Sequence, residues 1–323
     1  MRAIVHDTYG PPEVLRLAEL PKPSPAPGEV RVRVRAATVN RTDTAFRSAD
    51  YAINRLFSGL FRPKRPVLGS EYAGTVDAVG SGVTNLAVGD RVFGLNPDHF
   101  GAHAEYVCVG ERSPIATMPE GTTFEEAAAV LDGLMLGANM MRQVSFDSPK
   151  HILVHGASGS IGSAALQLAK IRGAQVTATG NPGSLALLRS LGADVVLDYT
   201  KEDFLQTSET YDAIIDSVGK ISFSACRHLL TPKGLYVSSE LGAYWQNPFL
   251  ALAAPLMLGR KVGFPIPSIT QDDVLAYREL LASGRYRAVI DRTYPFEDFL
   301  EATRYVETGQ KTGNVVLRVC GTD

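Results

Sequence analysis

Near the middle of the chain, His155-Gly-Ala-Ser-Gly-Ser-Ile-Gly162 sets small residues where a backbone must come close to something. Ala157, Gly159 and Gly162 fill the three small-residue positions of the dinucleotide fingerprint, with alanine first and Gly156 just before it. Such a turn admits a pyrophosphate against the main chain, and a helix starting there offers unpaired N–H groups and a favourable dipole. That chemistry requires a strand before the turn and a helix after it. Ile152–Val154 is a short apolar run suited to a sheet buried on both faces, and Ile161, Ala164, Ala165, Leu168 and Ala169 recur at helical spacing.

The alternation continues downstream. Gln175–Thr179, Val195–Leu197, Tyr211–Asp216, Leu235–Ser238 and Val262–Phe264 read as strands, and Leu185–Leu191 as a helix. This order predicts an α/β domain with a Rossmann-type, doubly wound parallel sheet. Thr123–Arg142 reads as the helical lead-in, with Thr123 as N-cap and Glu125 and Glu126 in the first turn.

The first 117 or so residues differ. Arg2–Val5, the alternating Glu29–Arg35, Tyr72–Val79 and Asp90–Phe93 predict an irregular β-barrel-like module, with Asn40–Tyr51 and the basic, proline-bearing Arg55–Pro66 as loops at its mouth. Thr270–Ser283 and Phe296–Glu307 read as helices and Asn314–Val319 as a strand returning to that module.

Composition excludes several classes. The chain has 323 residues, 45% hydrophobic and 20% charged, with net charge −2 and no long basic run, so no nucleic-acid surface is expected. Cys108, Cys226 and Cys320 are isolated, which suits a reducing compartment. Met1–Asp7 turns polar too early for a signal peptide, and the apolar Phe249–Leu258 contains Pro255 and falls short of the roughly 20 residues of a membrane span. A cytoplasmic protein with no membrane partner is expected.

Further motifs run in order along the chain: Asn40-Arg-Thr-Asp43 through Arg47 to Tyr51, Gly69-Ser-Glu71-Tyr-Ala-Gly74, Val79-Gly-Ser-Gly82, Gly89-Asp-Arg-Val92, Leu191-Gly-Ala-Asp194 and Tyr211-Asp-Ala-Ile-Ile-Asp216-Ser-Val-Gly219. With the glycine turn, they resemble the medium-chain dehydrogenase/reductase superfamily, in its zinc-independent quinone oxidoreductase branch. The resemblance implies a GroES-like catalytic domain at residues 1–120 and 265–323 and a nucleotide-binding domain at 121–264. It also implies pairing of two copies through the nucleotide domain, a homodimer.

Zinc-dependent relatives hold their catalytic metal with a cysteine in the first motif, the histidine of a Gly-His-Glu motif, and a further cysteine or acid. Here the first motif has no cysteine and the second reads Gly69-Ser70-Glu71, so no zinc is expected. The structural zinc lobe needs four close cysteines after Gly-Asp-Arg-Val, where only Cys108 stands. His99 and His103 are spaced by one helical turn, but Pro97 and Gly101 break the segment, and both read as surface or core histidines.

For the cofactor, Thr179–Ser184 lacks the acid that would bind the ribose hydroxyls of NAD, which favours NADPH with NADH as a possibility. Gly183 stands where relatives often carry a lysine or arginine. By resemblance, the cofactor contacts are Asn40, Met135, Ser158, Gly159, Ser160 and Ile161. They continue with Asn181, Tyr199, Val218, Ser239, Phe264 and Lys311, and Lys201 is a second source of positive charge near Tyr199. Met135 replaces a threonine that several relatives place near the nicotinamide.

Without zinc, simple alcohol oxidation loses its Lewis acid, whereas a quinone or α,β-unsaturated carbonyl accepts hydride with only a hydrogen-bond donor at oxygen. The resemblance supplies Asn40 and Tyr51 as donors, against the structural readings of Asn40 as a turn cap and Tyr51 as a rim aromatic. Asp43 and Arg47 are expected to position the loop through an ion pair. Glu240–Pro248, with the sole tryptophan at Trp245, reads as a cleft wall, a subunit contact or core packing. The expected activity is hydride transfer from NADPH to a quinone or conjugated carbonyl. The alternatives are an enoyl-thioester reductase, with Arg55, Arg62, Lys64 and Arg65 meeting a phosphorylated carrier, and a nucleotide-binding protein with little turnover.

Overall fold

The structure is a computed structural model in which residues 1–49, 55–56, 58–148, 150–256 and 258–319 are described. Tyr51 and Cys320 lie outside the described residues. In chain order, the first strands are β1 (Arg2–Val5), β2 (Arg16–Glu19) and β3 (Glu29–Val39), followed by helix α1 (Arg41–Ser48). Then come β4 (Glu71–Val79), β5 (Arg91–Leu95), β6 (Tyr106–Gly110), β7 (Ile115–Thr117), α2 (Phe124–Ala128) and α3 (Leu131–Met141). The parallel portion comprises β8 (His151–His155), α4 (Ser160–Ile171), β9 (Gln175–Gly180), α5 (Leu185–Ser190), β10 (Val195–Asp198) and β11 (Tyr211–Asp216). It continues with α6 (Phe223–Cys226), β12 (Leu230–Ser238), α7 (Gln246–Ala253) and β13 (Lys261–Gly263). The tail adds α8 (Gln271–Ala282), β14 (Ile290–Pro295), α9 (Phe299–Glu307) and β15 (Asn314–Arg318).

Backbone contacts divide the chain into two compact units, Met1–Leu131 with Ile269–Asp323, and Asp132–Ser268. The division falls at the start of α3, and α2 packs on β3 and β4 of the first unit.

In the first unit, a seven-stranded sheet runs β14-β15-β3-β4-β5-β7, with β6 also on β3, and all its ladders are antiparallel except β14 with β15. The alternation of β3 explains its place at the centre. Val30, Val32 and Val34 are fully buried in the apolar core, while Arg31 on the other face bonds Asp77 at 2.7 Å. Strands β2, β6, β7 and β14 are additions to the sequence reading. The segment after Asn40, read as a loop, is corrected to helix α1, and the single helix expected at Thr123–Arg142 is broken at Ala129–Val130.

In the second unit, six parallel strands run β10-β9-β8-β11-β12-β13. Ile152, Leu153 and Val154 on β8 are fully buried between neighbours on both sides, as a central parallel strand requires. The sheet order reverses between β8 and β11, the place where open parallel sheets bind ligands. β12 begins five residues before its expected start, running through Pro232 and Gly234 with a register shift opposite Tyr211–Ala213. Tyr244 is fully exposed and Trp245 nearly half exposed, whereas Asn247 in the same segment is buried with its Nδ2 donating to Glu240 O at 2.8 Å.

Candidate functional site

The glycine turn sits at the sheet's switch point. Gly156 has φ of +73°, in the left-handed region where glycine is at ease, and Ala157 N donates to Thr179 O at 3.1 Å. From the neighbouring strand, Ser217 Oγ donates to His155 O at 2.7 Å. A Cβ on Gly162 would lie 2.2 Å from Gly156 O, so α4 packs closer to the turn than any other residue would allow. At the helix start, Ser160 Oγ is buried with no hydrogen-bond partner among the described residues, and a Cβ on Gly159 would meet only Gly156 O, at 3.6 Å. An orphaned hydroxyl beside an uncapped helix N-terminus and a small-residue cradle fits a pyrophosphate.

The expected cofactor contacts of this unit gather on one edge of the sheet. Ser158, Gly159, Ser160 and Ile161 follow β8, Asn181 follows β9, Tyr199 follows β10, Val218 follows β11, Ser239 follows β12 and Phe264 follows β13. All are thus at carboxyl ends of parallel strands. Asn181 Oδ1 accepts from Ser184 N at 3.0 Å, capping the next turn, while Tyr199 is half exposed and Lys201 exposed. Met135 is buried in α3, where its carbonyl accepts from Asn139 Nδ2 at 2.7 Å. Asn40 and Lys311 belong to the other unit, and Lys311 Nζ donates to Gly313 O.

Two polar networks support these loops from below. Asp216 Oδ1 accepts from Val218 N at 3.2 Å and Gly219 N at 2.9 Å, and its Oδ2 accepts from Tyr236 Oη at 2.9 Å. Gly156 N donates to Thr179 Oγ1 at 3.2 Å, which lies 2.9 Å from His155 Nδ1. Burial pushes His155 below its ordinary value, with Lys220 adding to this and Asp216 opposing it.

In the first unit, the motif residues meet around Asp43. Asn40 is the N-cap of α1: its Oδ1 accepts from Asp43 N at 3.0 Å while Asp43 Oδ2 accepts from Asn40 N at 3.0 Å, a reciprocal capping box. Asp43 Oδ1 accepts from Gly69 N at 3.0 Å, and Asn40 Nδ2 donates to Ser70 Oγ at 3.3 Å. Burial pushes the Asp43 carboxyl up, against the pull of the His103 ring and the N–H groups of Asn40, Gly69 and Ser70. The expected Asp43–Arg47 ion pair is corrected. Arg47 pairs instead with Glu307 on α9, and Asp43 with backbone donors, His103 Nε2 lying 4.0 Å away.

His103 and Thr38 join this cluster without any local sequence signal, His103 Nε2 lying 2.8 Å from Thr38 O. Glu71 accepts from Thr38 Oγ1 at 2.8 Å and from Leu131 N. No group of three His, Cys, Asp or Glu suited to a metal occurs among the described residues. His99 is exposed and His103 buried, on non-helical backbone.

Fold and site together define a two-domain α/β protein with a dinucleotide cradle. Comparison with known families agrees: an alcohol dehydrogenase GroES-like domain matches residues 26–120, and a zinc-binding dehydrogenase domain matches residues 191–317. The chain is 33% identical over 330 residues to 2-methylene-furan-3-one reductase of Solanum lycopersicum, covering 98% of this chain and 79% of that protein. It is 31% identical to the NADPH-dependent alkenal/one oxidoreductase, chloroplastic, of Arabidopsis thaliana, with the same coverage. The solved structure of the quinone oxidoreductase from Coxiella burnetii superposes with a TM-score of 0.86 at 29% identity, covering 99% of each chain. The chain belongs to the medium-chain dehydrogenase/reductase superfamily.

Proposed function

We propose that this protein is a zinc-independent, NADPH-dependent reductase of quinones and other conjugated carbonyls. The observation that carries the proposal is the cradle at Gly156–Gly162, with its orphaned Ser160 hydroxyl, in a chain similar over nearly its whole length to enone and quinone reductases. When bound, the nicotinamide cofactor supplies the hydride.

The chain's own residues do the rest. The α4 N-terminus, Ser160 and the backbone at Ser158–Ile161 hold the pyrophosphate, while Asn181 and Tyr199 flank the adenosine end, where the lack of an acid in 179–184 favours NADPH over NADH. Val218, Ser239, Phe264, Met135, Asn40 and Lys311 complete the proposed contact set. Asn40 holds the first turn of α1 and retains a second amide N–H beyond its Ser70 bond, and Tyr51 supplies an O–H to the substrate oxygen. The zinc-independent reading rests on Ser70, whose hydroxyl accepts from Asn40, and on Asp43 and Glu71, whose oxygens already bind N–H and O–H donors.

We also propose a homodimer built on the second unit. β13 ends the sheet with an open edge, and near it Tyr244, Phe249, Leu252, Leu256, Leu258 and Ile266 are largely exposed. No charged residue occurs from Tyr244 to Leu258, which suits a second copy of the same surface. Light scattering on the purified protein tests this, and a monomer at micromolar concentration refutes it.

The activity test is consumption of NADPH and NADH with a quinone, a simple enone and an enoyl thioester, with and without a metal chelator, beside a Tyr51→Phe variant. Turnover of quinone or enone with NADPH that survives chelation, and a much slower variant, are the expected results. Chelator-sensitive turnover refutes zinc independence, an unaffected variant removes Tyr51 from the mechanism, and tight NADPH binding without turnover of any acceptor favours a binding protein.

A further inference from the structure

Between Tyr51 and Ser70 the chain carries four cations, Arg55, Arg62, Lys64 and Arg65, and no acid. The described part of this segment is an anchored strap. Tyr9 Oη donates to Gly59 O at 2.6 Å and lies 2.8 Å from Ser58 Oγ, Lys64 N donates to Ser58 O at 2.7 Å, and His6 N donates to Pro66 O at 2.9 Å. Its backbone is thus tied down at both ends of the turn, which also leaves several of its side chains exposed. Leu56, Leu60 and Phe61 are 71%, 57% and 86% exposed, and all four cations are exposed as well. Among the described residues none of the four has a carboxylate partner; Arg55 lies over the Tyr9 ring, 5.2 Å from its centroid.

Adjacent exposed apolar side chains and unpaired cations ask for a partner that is apolar and anionic at once. We propose that this strap is a peripheral docking surface for an anionic lipid bilayer, with Leu60 and Phe61 entering the acyl boundary and Arg62, Lys64 and Arg65 meeting lipid phosphates. The charge complementarity separates it from the exposed apolar side chains Tyr244, Phe249, Leu252, Leu256 and Leu258, in whose stretch of sequence no charged residue occurs. A bilayer meets both requirements in one layer: headgroup phosphates pair with Lys and Arg, and the boundary beneath accepts leucine and phenylalanine. Docking of this kind is independent of membrane spanning, for which no helix among the described residues is long and apolar enough.

The test is co-sedimentation of the full-length protein with phosphatidylcholine vesicles, either pure or containing about 30% phosphatidylserine. The expected result is binding to the anionic vesicles only, lost at high salt as screening shortens the reach of the cations. Arg62→Ala with Lys64→Ala should weaken partitioning by about twenty-five-fold, roughly fivefold for each cation. Leu60→Ser with Phe61→Ser should weaken it as strongly with every cation in place, which charge attraction alone would not produce. Thermal unfolding of each variant at the wild-type temperature shows that the fold is intact. Three results overturn the proposal: no binding of the wild type to anionic vesicles, binding unchanged in both variants, or capture of a phosphopantetheinylated carrier protein without vesicle binding. The last would assign the strap to a carrier.

Discussion

Two glycines of one turn should fail in different ways when each becomes alanine. At Gly159 φ is −75°, and an added Cβ meets only Gly156 O, at 3.6 Å. Lost backbone freedom in the unfolded chain favours the alanine by about 0.4–1 kcal/mol, and the poorer N-cap disfavours it by a similar amount. Net stability should change by less than about 0.5 kcal/mol, a melting shift of about 2 °C or less. The same methyl occupies otherwise open space at the start of α4, where the pyrophosphate is proposed to sit. If it costs one charge-assisted hydrogen bond to the pyrophosphate, about 2 kcal/mol, NADPH should bind roughly thirtyfold more weakly. At Gly162 the Cβ lies 2.2 Å from Gly156 O and 2.7 Å from Ala157 Cα, both backbone atoms. The helix must move, at an overpacking cost of about 2–3 kcal/mol and a melting loss of roughly 6–10 °C. Differential scanning fluorimetry and titration calorimetry with NADPH read the two effects separately. Wild-type NADPH affinity in Gly159→Ala, or an unchanged melting temperature in Gly162→Ala, would refute the reading of the turn.

Other substitutions probe the supports. Tyr236→Phe leaves Asp216 Oδ2 without its buried donor and should cost about 1–3 kcal/mol by urea unfolding; a change under about 0.5 kcal/mol would mean the network tolerates the loss. Asn40→Ala removes the α1 cap, about 1 kcal/mol, and should lower kcat well beyond what that loss explains while also weakening NADPH binding, as befits a member of the proposed contact set; equal kcat and equal affinity would leave Asn40 purely structural. Against the opposing push of burial, Lys170 and the Val176 N–H hold Asp194 below the ordinary carboxylate value, at 2.7 Å each. A depressed carboxyl stabilises the fold above its unfolded value near 3.8 and loses that contribution as pH falls through its folded value. Asp194→Asn should therefore cost about 1 kcal/mol at neutral pH, discounted for its partial exposure, and progressively less in acid; a pH-independent penalty would show that the charge is not involved.

The parallel half was legible because its signals are local: apolar runs such as Ile152–Val154, each followed by a glycine-bearing turn and a helical period. The first unit was less so, for a physical reason visible in α1. Its fully buried side chains are Asp43 and Arg47, with Phe46 only partly covered against the core, so the inward face carries two charged groups beside one aromatic and gives no sustained apolar period. The one local sign of that helix is the spacing of Asn40 and Asp43, an N-cap and its reciprocal partner. Asp43 and Arg47, expected to hold a loop through an ion pair, each find a partner from elsewhere. Asp43 takes N–H groups from Gly69 and Ser70, and Arg47 takes Glu307 on α9. Pairings across 26 and 260 residues leave no trace in local pattern. Strand β2, with most of its side chains exposed, and β14, with Asp291 and Arg292, were missed for a related reason: strand pairing, rather than apolar alternation, defines them. Buried charge in this unit thus does structural work that apolar residues do in the other. It fixes Asn40 and Ser70 against each other through one carboxylate, which makes Asp43 the residue on which the geometry of both motifs depends.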